Sequence, residues 1–201
     1  MGGRGLLAAV VLVGAIAGAH AETAEAPAHV PMVEVEVTPT RAWVEFCRRL
    51  PAECAVDTKE AAMIPLTVET FDLLKRVNRE VNVAITPKTD WAHWGVEDRW
   101  DFPDDSIGDC EDIQIEKRRR LVAAGLPRRA LLMTVVLDEG GDGHAVLMVR
   151  TASGDLILDN KKGAVLPWYE TGYEYLKREG QESQDWVAIG EPSVPVLVAN
   201  R

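Results

Sequence analysis

The spacing of hydrophobic residues changes from helical to strand-like near residue 130. Before that point apolar residues recur every three or four positions, a pattern typical of helices that bury one face. Thr38 can cap a first helix with Pro39 at its first position, and Thr67 can cap a second. The predicted inner faces carry Trp43, Phe46, Cys47 and Leu50 in the first helix, and Phe71, Leu74, Val77 and Val81 in the second.

A third helix is predicted to begin around Cys110. Asp109 can cap it, acidic residues fill its first turn, basic residues fill its last part, and Gly125 ends it. Between the second and third helices, residues 85–106 show neither a helical nor a strand period and are rich in Trp, Pro and Asp. We expect a long ordered loop packed by its tryptophans, and such loops inside compact domains are usually functional.

The second half of the chain has the pattern of an antiparallel sheet. Residues 130–137 form a continuous apolar run, which is typical of a strand buried on both faces. A glycine-rich turn at 138–143 leads to a predicted strand at 144–151, and a second turn leads to another at 155–159. Residues 186–189 are predicted as a last strand. Helices followed by a meander of strands indicate an α+β fold.

The amino-terminal residues have the pattern of an export signal. A charged start is followed by an apolar run from Leu6 to Ala17, and Ala19-His20-Ala21 resembles a cleavage site. We therefore expect residues 1–21 to be a signal peptide that directs the protein to the periplasm or the outside of the cell. No stable membrane insertion is expected after cleavage, and an uncleaved anchor is the alternative.

The rest of the chain is acidic and long enough for one domain. Residues 22–39, rich in Ala, Pro and acids, predict a flexible lead-in to a domain at residues 40–201. The whole chain carries a formal net charge of −10, and its one short basic cluster, Arg118 to Arg120, predicts a solvated helix face. We therefore expect no nucleic-acid partner.

Three cysteines in an exported protein leave one unpaired if the other two form a disulfide. Cys47 and Cys54 flank a short loop, so an oxidising compartment favours pairing them, and the alternative is that both are reduced and buried. Cys110 is then the free thiol. At a helix start, unpaired N–H groups and the helix dipole favour the thiolate, which is the nucleophilic form, whereas a buried structural cysteine is the other interpretation.

His144 and Asp159 complete a candidate catalytic triad with Cys110. A triad of this kind needs a thiolate, a base that takes and returns a proton, and an acid that orients the imidazole. In a tight hairpin His144 and Asp159 share a face, while Asn160 points away. A turn centred on Ser153 and Gly154 pairs Asp159 with Met148, too far from His144 for a hydrogen bond, so a different turn centre or a bulge is required.

Four short motifs resemble those of the bacterial transglutaminase-like cysteine peptidases, the family of the LapG-type periplasmic proteases. The motifs are Trp94 to Trp100, Gly108 to Asp112, Gly143 to Leu147 and Leu158 to Asn160, and the pieces around Cys47 and Cys54 are similar as well. The resemblance covers roughly residues 41–190. It implies a papain-like or transglutaminase-like core in which the catalytic cysteine starts a helix packed on an antiparallel sheet.

The resemblance also implies an activity. Cys110 would be the nucleophile, His144 the general base and acid, and Asp159 the orienting residue. The expected reaction is cleavage of an adhesin-like cell-surface protein at a small-residue site, with an inner-membrane receptor as an inhibitory partner. A calcium site is implied at Asp109 and Glu111, and further at Asp90.

Simple electrostatics favours a bound cation as well. Carboxylates on both sides of Cys110 raise the cost of a thiolate, and the helix dipole offsets only ~0.3–1 kcal/mol. A calcium ion among acid oxygens and loop carbonyls would remove that opposition. The alternative is that these acids only cap the helix and face solvent.

Other functions use the same residues. A protein-glutamine transglutaminase would pass the same acyl-enzyme to an amine, and a cell-wall peptide hydrolase would cleave a different peptide. A non-catalytic periplasmic binding module is the third alternative, disfavoured because all three triad residue types are present. The oxyanion hole should include the Cys110 backbone N–H, with a second donor from the Trp-rich loop or Asn82.

Overall fold

A computed structural model describes residues 1–2 and 28–190 and gives the predicted α+β class. Apart from its first two residues, the predicted signal peptide lies outside the described residues. Seven antiparallel strands form one sheet in the order β1-β9-β8-β4-β5-β6-β7. These strands are β1 Met32–Val37, β4 Leu131–Leu137, β5 Gly143–Thr151, β6 Gly154–Leu158, β7 Leu166–Pro167, β8 Glu174–Glu179 and β9 Trp186–Ile189. The helices are α1 Arg41–Arg49, α2 Pro51–Cys54, α3 Val68–Ala84, α4 Asp90–Trp94 and α5 Cys110–Ala123.

The central strands are buried on both faces. Leu131 and Met133 lie in the main core with α1, α3 and α5, whereas Leu132 and Met148 lie in a second apolar cluster across the sheet. Alternate residues of a strand point to opposite faces, so a strand covered on both sides reads as a continuous apolar run. That is why β4 was recognisable in the sequence.

Helix starts follow the predicted capping chemistry, with one shift. Thr67 caps α3 as predicted, its hydroxyl accepting a hydrogen bond from the Thr70 N–H at 3.2 Å. The prediction that Thr38 caps the first helix is wrong. Thr40 caps α1 instead, accepting from the Trp43 N–H at 3.2 Å, so α1 begins two residues later.

The predicted disulfide is present between Cys47 in α1 and Cys54 at the end of α2. It closes a loop with a sequence separation of 7 residues and ties the two helices together. In the described part of the chain Cys110 is the free cysteine. The pairing expected for an oxidising compartment is therefore confirmed. The disulfide leaves the Cys110 thiol available for chemistry.

The expectation of a flexible lead-in at residues 22–39 is wrong for its last part. Residues 32–37 form β1, an edge strand that pairs antiparallel with β9. Val33, Val35 and Val37 alternate with acidic residues, a period-two pattern that the Ala- and Pro-rich composition of the preceding residues obscured. The fold therefore starts before residue 40.

The predicted long loop at residues 85–106 contains short elements. Residues 86–87 (β2) pair in parallel with residues 107–108 (β3), which closes the segment at its base, and α4 lies within it. Trp100 is buried in the main core, whereas Trp91 and Trp94 are exposed. One tryptophan of this segment therefore packs in the core, and two lie at the surface. Among the described residues, no helix is long and apolar enough to cross a membrane.

The basic cluster on α5 is only partly solvated, so the predicted solvated face is wrong for Arg118. The Arg118 guanidinium is 1% exposed and donates to Glu179 at 2.7 Å. Arg128 donates to the other oxygen of the same carboxylate at 2.5 Å. Glu179 belongs to β8, a strand that the sequence pattern did not predict. Because that strand was not predicted, the sequence did not indicate a carboxylate that could pair with Arg118.

We predict that Glu179→Gln lowers the free energy of unfolding by about 3 kcal/mol, because two arginines lose the carboxylate that neutralises them in a buried site. Urea unfolding followed by circular dichroism measures this change. Glu174→Gln is the matched control, since Glu174 is an exposed residue of the same strand. Equal stability of the two variants would contradict a structural role for the Arg118–Glu179–Arg128 group.

Candidate active site

Cys110 is the first residue of α5, and the chain before it is tightly held. Gly108 pairs with residue 87 in the parallel bridge, and its backbone lies against Asp112 of the first helical turn. A Cβ on Gly108 would lie 2.8 Å from Asp112 Cβ, so a larger residue would force the two segments apart. The glycine of the GDCED motif therefore permits close packing at the start of the helix.

The prediction that Asp109 caps α5 through its side chain is wrong. Asp109 occupies the N-cap position, but in the described structure its side chain makes no capping hydrogen bond. One of its oxygens instead accepts from the Asp90 N–H at 3.3 Å. The Asp109 carboxyl is turned toward other acids rather than toward its own helix.

The Cys110 thiol lies between an acid and the start of β5. It donates to Glu111 Oε2 at 3.1 Å, and the Ala145 backbone N–H is hydrogen-bonded to the sulfur. Burial raises the pKa of the Cys110 thiol well above its ordinary value, and the charges of Glu111 and Asp109 raise it further. The Ala145 N–H acts in the opposite direction, because it stabilises the thiolate.

His144 and Asp159 are in direct contact. His144, the second residue of β5, is 3% exposed, and its Nε2 lies 2.8 Å from Asp159 Oδ1. Leu147 pairs with Leu158, which centres the hairpin turn on Ala152 and Ser153. The assumed turn centre was therefore one residue too late, and no bulge is needed to bring Asp159 diagonally opposite His144 on the same face.

Several groups fix the Asp159 carboxylate. Oδ2 accepts from the Tyr173 hydroxyl at 2.6 Å, and Oδ1 also accepts from the Lys161 N–H at 3.0 Å. Burial alone would raise the pKa of Asp159, but the hydrogen bonds from His144 and Tyr173 lower it. The side chain is therefore held as an anion. Tyr173 had no recognisable signal in the sequence, since it lies in an irregular segment before β8.

The neighbouring polar residues have other partners. Asn160 points away from His144, as expected, and its side-chain oxygen accepts from Gln114 on α5 at 3.2 Å. Asn82 donates its amide to the Asp159 backbone carbonyl at 2.8 Å. This bond lets Asn82 position the segment after β6.

An acid cluster surrounds the thiol, built from α4, the segment after it and the start of α5. Three carboxyls, Asp90, Asp109 and Asp112, can offer oxygens within 4.8 Å of one another, and so can the set Asp90, Asp98 and Glu111. All three residues expected from the resemblance belong to these sets. Asp98 and Asp112 were not among the ligands that the resemblance implies, although both lie within the motifs that carry it, and the folded chain places them in the cluster.

The cluster is electrostatically strained. Burial raises the pKa of Asp112 to about 8 and that of Asp109 to about 6, with the charge of Asp90 adding to both effects. Burial and the charge of Asp109 raise the pKa of Glu111 well above its ordinary value. Glu111 shares hydrogen bonds with Asp109 and Asp98, and a bond between two carboxyls requires a shared proton.

The donor set fits a hard divalent cation. Asp90 Oδ1 and Asp109 Oδ1 are buried and have no hydrogen-bond partner among the described residues. The other oxygen of Asp90 accepts from the Arg99 N–H, and Asp112 Oδ1 accepts from the Asp101 N–H at 2.7 Å. These backbone hydrogen bonds fix the orientation of both carboxyls. Clustered carboxylate oxygens held by a loop are the ligands that calcium prefers.

Comparison with known proteins agrees with this geometry. The sequence profile of the family described as bacterial transglutaminase-like cysteine proteinase matches residues 33–194. Among curated proteins, none matches the chain. The profile match covers both the helical and the strand-rich parts of the fold, including Cys110, His144, Asp159 and the acid cluster.

Two solved structures of Legionella pneumophila LapG are similar to this protein at 28% sequence identity. One is described as calcium-bound, with a TM-score of 0.51, and the match covers 63% of this chain and 74% of that chain. The other has a TM-score of 0.50 and covers 58% and 68%. Helices packed on a curled antiparallel sheet are thus a transglutaminase-like fold. Because the profile matches far more than half of the chain, the protein belongs to the bacterial transglutaminase-like cysteine proteinases and is a cysteine peptidase.

Proposed function

We propose that this protein is an exported, calcium-dependent cysteine endopeptidase that uses Cys110, His144 and Asp159. One observation carries the assignment. Two successive residues at the start of β5 serve the two halves of the site, since His144 contacts Asp159 and the Ala145 N–H contacts the Cys110 sulfur. Adjacent residues of one strand therefore contact the proposed orienting residue and the free thiol.

Each residue has a defined part in peptide cleavage. His144 takes the proton of the Cys110 thiol, and the sulfur attacks the carbonyl carbon of the scissile bond. The oxyanion is stabilised by the Cys110 backbone N–H, which a helix start leaves without an intrahelical partner. The imidazolium then gives its proton to the leaving amine, and water releases the acyl group from the sulfur.

Asp159 orients the base. Its bond to Nε2 leaves Nδ1 as the ring nitrogen that serves the thiol, and Tyr173 keeps the carboxylate from rotating away. The carboxylate also stabilises the imidazolium that forms during the reaction. The low pKa of Asp159 supports this role, because the residue remains an acceptor at neutral pH.

Calcium would be held by the carboxyls of Asp90, Asp109 and Glu111, the three ligands expected from the sequence, with Asp98 and Asp112 beside them. Its charge would offset the acids that flank the thiol. The printed description of one similar LapG structure as calcium-bound supports this cofactor. The partnerless oxygens of Asp90 and Asp109 support it independently.

The proposed substrate is an adhesin-like cell-surface protein, cut at a site with small residues in the periplasm or outside the cell. Trp91 and Trp94 expose 69% and 44% of their surface on α4, the helix that also carries Asp90. Exposed tryptophans beside a catalytic site suit a protein segment as substrate or an inhibitory receptor as partner. The signal peptide predicted at residues 1–21 supports export of the enzyme.

We predict that Cys110→Ala and His144→Ala lower turnover roughly 10³-fold or more, and that Asp159→Asn lowers it at least ~10²-fold, because the imidazole loses its oriented tautomer. The measurement is cleavage of an N-terminal adhesin fragment containing a run of small residues. Circular dichroism should show unchanged folds.

Asn160→Ala is the matched control, since Asn160 follows Asp159 but bonds Gln114. An active Asp159→Asn together with an inactive Asn160→Ala would show that the orienting residue is misassigned. Sequencing of new N-termini, with an assay for isopeptide bonds to an added amine, separates peptidase from transglutaminase. Isopeptide products without new N-termini would replace the peptidase assignment.

We predict that, in EGTA, the melting temperature falls by several degrees between pH 5 and pH 8.5 and that saturating calcium removes most of the fall. The folded-state pKa values of Asp109 and Asp112, about 6 and about 8, exceed those of an unfolded chain. Their contribution to stability is therefore present at low pH and is lost as pH rises through these values. Thermal unfolding across this range measures it.

Asp112→Asn should flatten the upper part of that fall, near pH 8, because the side chain no longer ionises. A melting temperature in EGTA that stays level or rises from pH 5 to pH 8.5 would show that the carboxyls are not held in a strained cluster.

We predict that iodoacetamide labels Cys110 alone in the native, oxidised protein and does so several-fold faster with calcium than with EGTA at pH 7. Calcium opposes the charges of Glu111 and Asp109 that raise the pKa of the thiol. Mass spectrometry identifies the labelled residue and its rate. Labelling of Cys47 or Cys54 first, or slower labelling with calcium, would contradict the assigned roles of the thiol and the cation.

A further inference from the structure

A buried lysine on α5 takes no part in the chemistry described so far. Lys117 is 0% exposed, and among the described residues its ammonium group has no hydrogen-bond partner. Residues 110, 114 and 117 lie on one face of α5 by helical spacing, so Lys117 is about two turns, or ~10 Å, from Cys110 along the axis. The nucleophile and the buried cation therefore share a helix face.

Burial disfavours the charged form of Lys117, and one neighbouring carboxylate favours it. Burial lowers the pKa of Lys117 to about 7, and the carboxylate of Asp159 is the charge that acts in the other direction. A buried unpaired ammonium destabilises a fold, and a leucine or methionine would fill the same space at lower cost. Lys117 is thus a costly residue whose nearby opposite charge belongs to the proposed triad.

Three buried side-chain oxygens near the same segment also lack partners. Asn78 and Asn82 on α3 and Gln114 on α5 each donate an amide N–H to the chain after β6, at residues 159–163. The acceptors are Gly163 O at 3.1 Å, Asp159 O at 2.8 Å and Asn160 Oδ1 at 3.2 Å.

A backbone carbonyl can only accept, so the two asparagines must present their nitrogens to it. Their own oxygens, Asn78 Oδ1 and Asn82 Oδ1, are then left without donors among the described residues, and Gln114 Oε1 is in the same condition. An ammonium group offers three donors and no acceptor. Among the described residues, three buried acceptors and one buried amino group with up to three donors therefore lack partners on or beside helices α3 and α5.

We propose that Lys117 is a positioning residue of the active site. Its ammonium group and the oxygens of Asn78, Asn82 and Gln114 form one buried network, completed by bridging water, that fixes the segment at residues 159–163. Through that segment its charge acts on the Asp159 carboxylate. The proposal rests on the assignment of His144 and Asp159 as base and orienting residue.

The effect of Lys117 depends on the other groups that interact with the Asp159 carboxylate. The titratable groups around the carboxylate are His144 on β5, Tyr173 before β8, Lys161 in the following segment and Lys117 on α5. A carboxylate that faced His144 alone would strongly favour the imidazolium. A second positive charge near the carboxylate, supplied by Lys117, weakens that preference.

The test follows the imidazole directly and needs no substrate. Nuclear magnetic resonance of the histidine ring protons gives the pH midpoint of each of the four histidines in the full, calcium-loaded chain, and His144→Gln identifies the signal of interest. Lys117→Met and Lys117→Gln each remove the charge, and the second keeps a polar group in the network. Lys75→Met is the control, an exposed lysine of α3.

Both Lys117 variants should move the His144 midpoint upward by about half a pH unit or more, while Lys75→Met and the charge-preserving Lys117→Arg leave it in place. Turnover of an adhesin fragment should fall several-fold in kcat with KM unchanged. The same midpoint in Lys117→Gln as in the original protein would overturn the proposal, even if Lys117→Met failed to fold. Loss of the proposed peptidase function would show separately, as absent cleavage by the unmodified protein.

Discussion

A half-buried thiol in contact with a buried carboxyl group is the constraint on which the rest of the site depends. The start of α5 stabilises a negative charge by at most about 1 kcal/mol, whereas desolvation and two flanking acids oppose it by more. The fold does not relieve this conflict by moving the acids into solvent. It collects further carboxyls from α4 and the segment after it, and holds them with backbone N–H groups. The thiol and the cluster of carboxyls are therefore parts of one structure.

The second organising feature is the way strand β5 enters the site. Its first residues supply a side chain and a backbone N–H in succession, pointing to different parts of the site. Helix α5 packs on this strand, and β6 returns beside it, so Cys110, His144 and Asp159 lie in, or directly after, three neighbouring elements of the core. Such a site is precise because its parts are held by regular structure, with the segment after β6 anchored by Tyr173, Asn82 and Gln114.

Local patterns in the sequence were enough to predict much of the fold and part of the candidate site. Apolar runs located β4, β5 and β6, the helix signals located α5 to the residue, and the face argument placed Asp159 with His144. Features that depend on distant partners could not be seen. Strand β8 carries buried charges, and Glu179 is tolerable there only because Arg118 and Arg128 meet it. Asp98 and Asp112 lie within recognised motifs, but their place among the clustered carboxyls depends on how the loop folds against α5. Tyr173 reaches the site from an irregular segment that no short motif encodes, and the turn centre of the β5–β6 hairpin was ambiguous by one residue.

The hairpin between β5 and β6 also restricts how this family can vary in length. Successive side chains of a strand alternate between faces, so a slip of one residue in the pairing of β6 with β5 would exchange the two faces of everything that follows in β6. Asp159 would then leave the face of His144, and the buried apolar residues of β6 would trade clusters. A residue added within the turn at Ala152 and Ser153 lengthens the loop and leaves the pairing in place, whereas a residue added within either strand does not. Among homologous sequences, insertions and deletions between the histidine and the aspartate should therefore be confined to this turn.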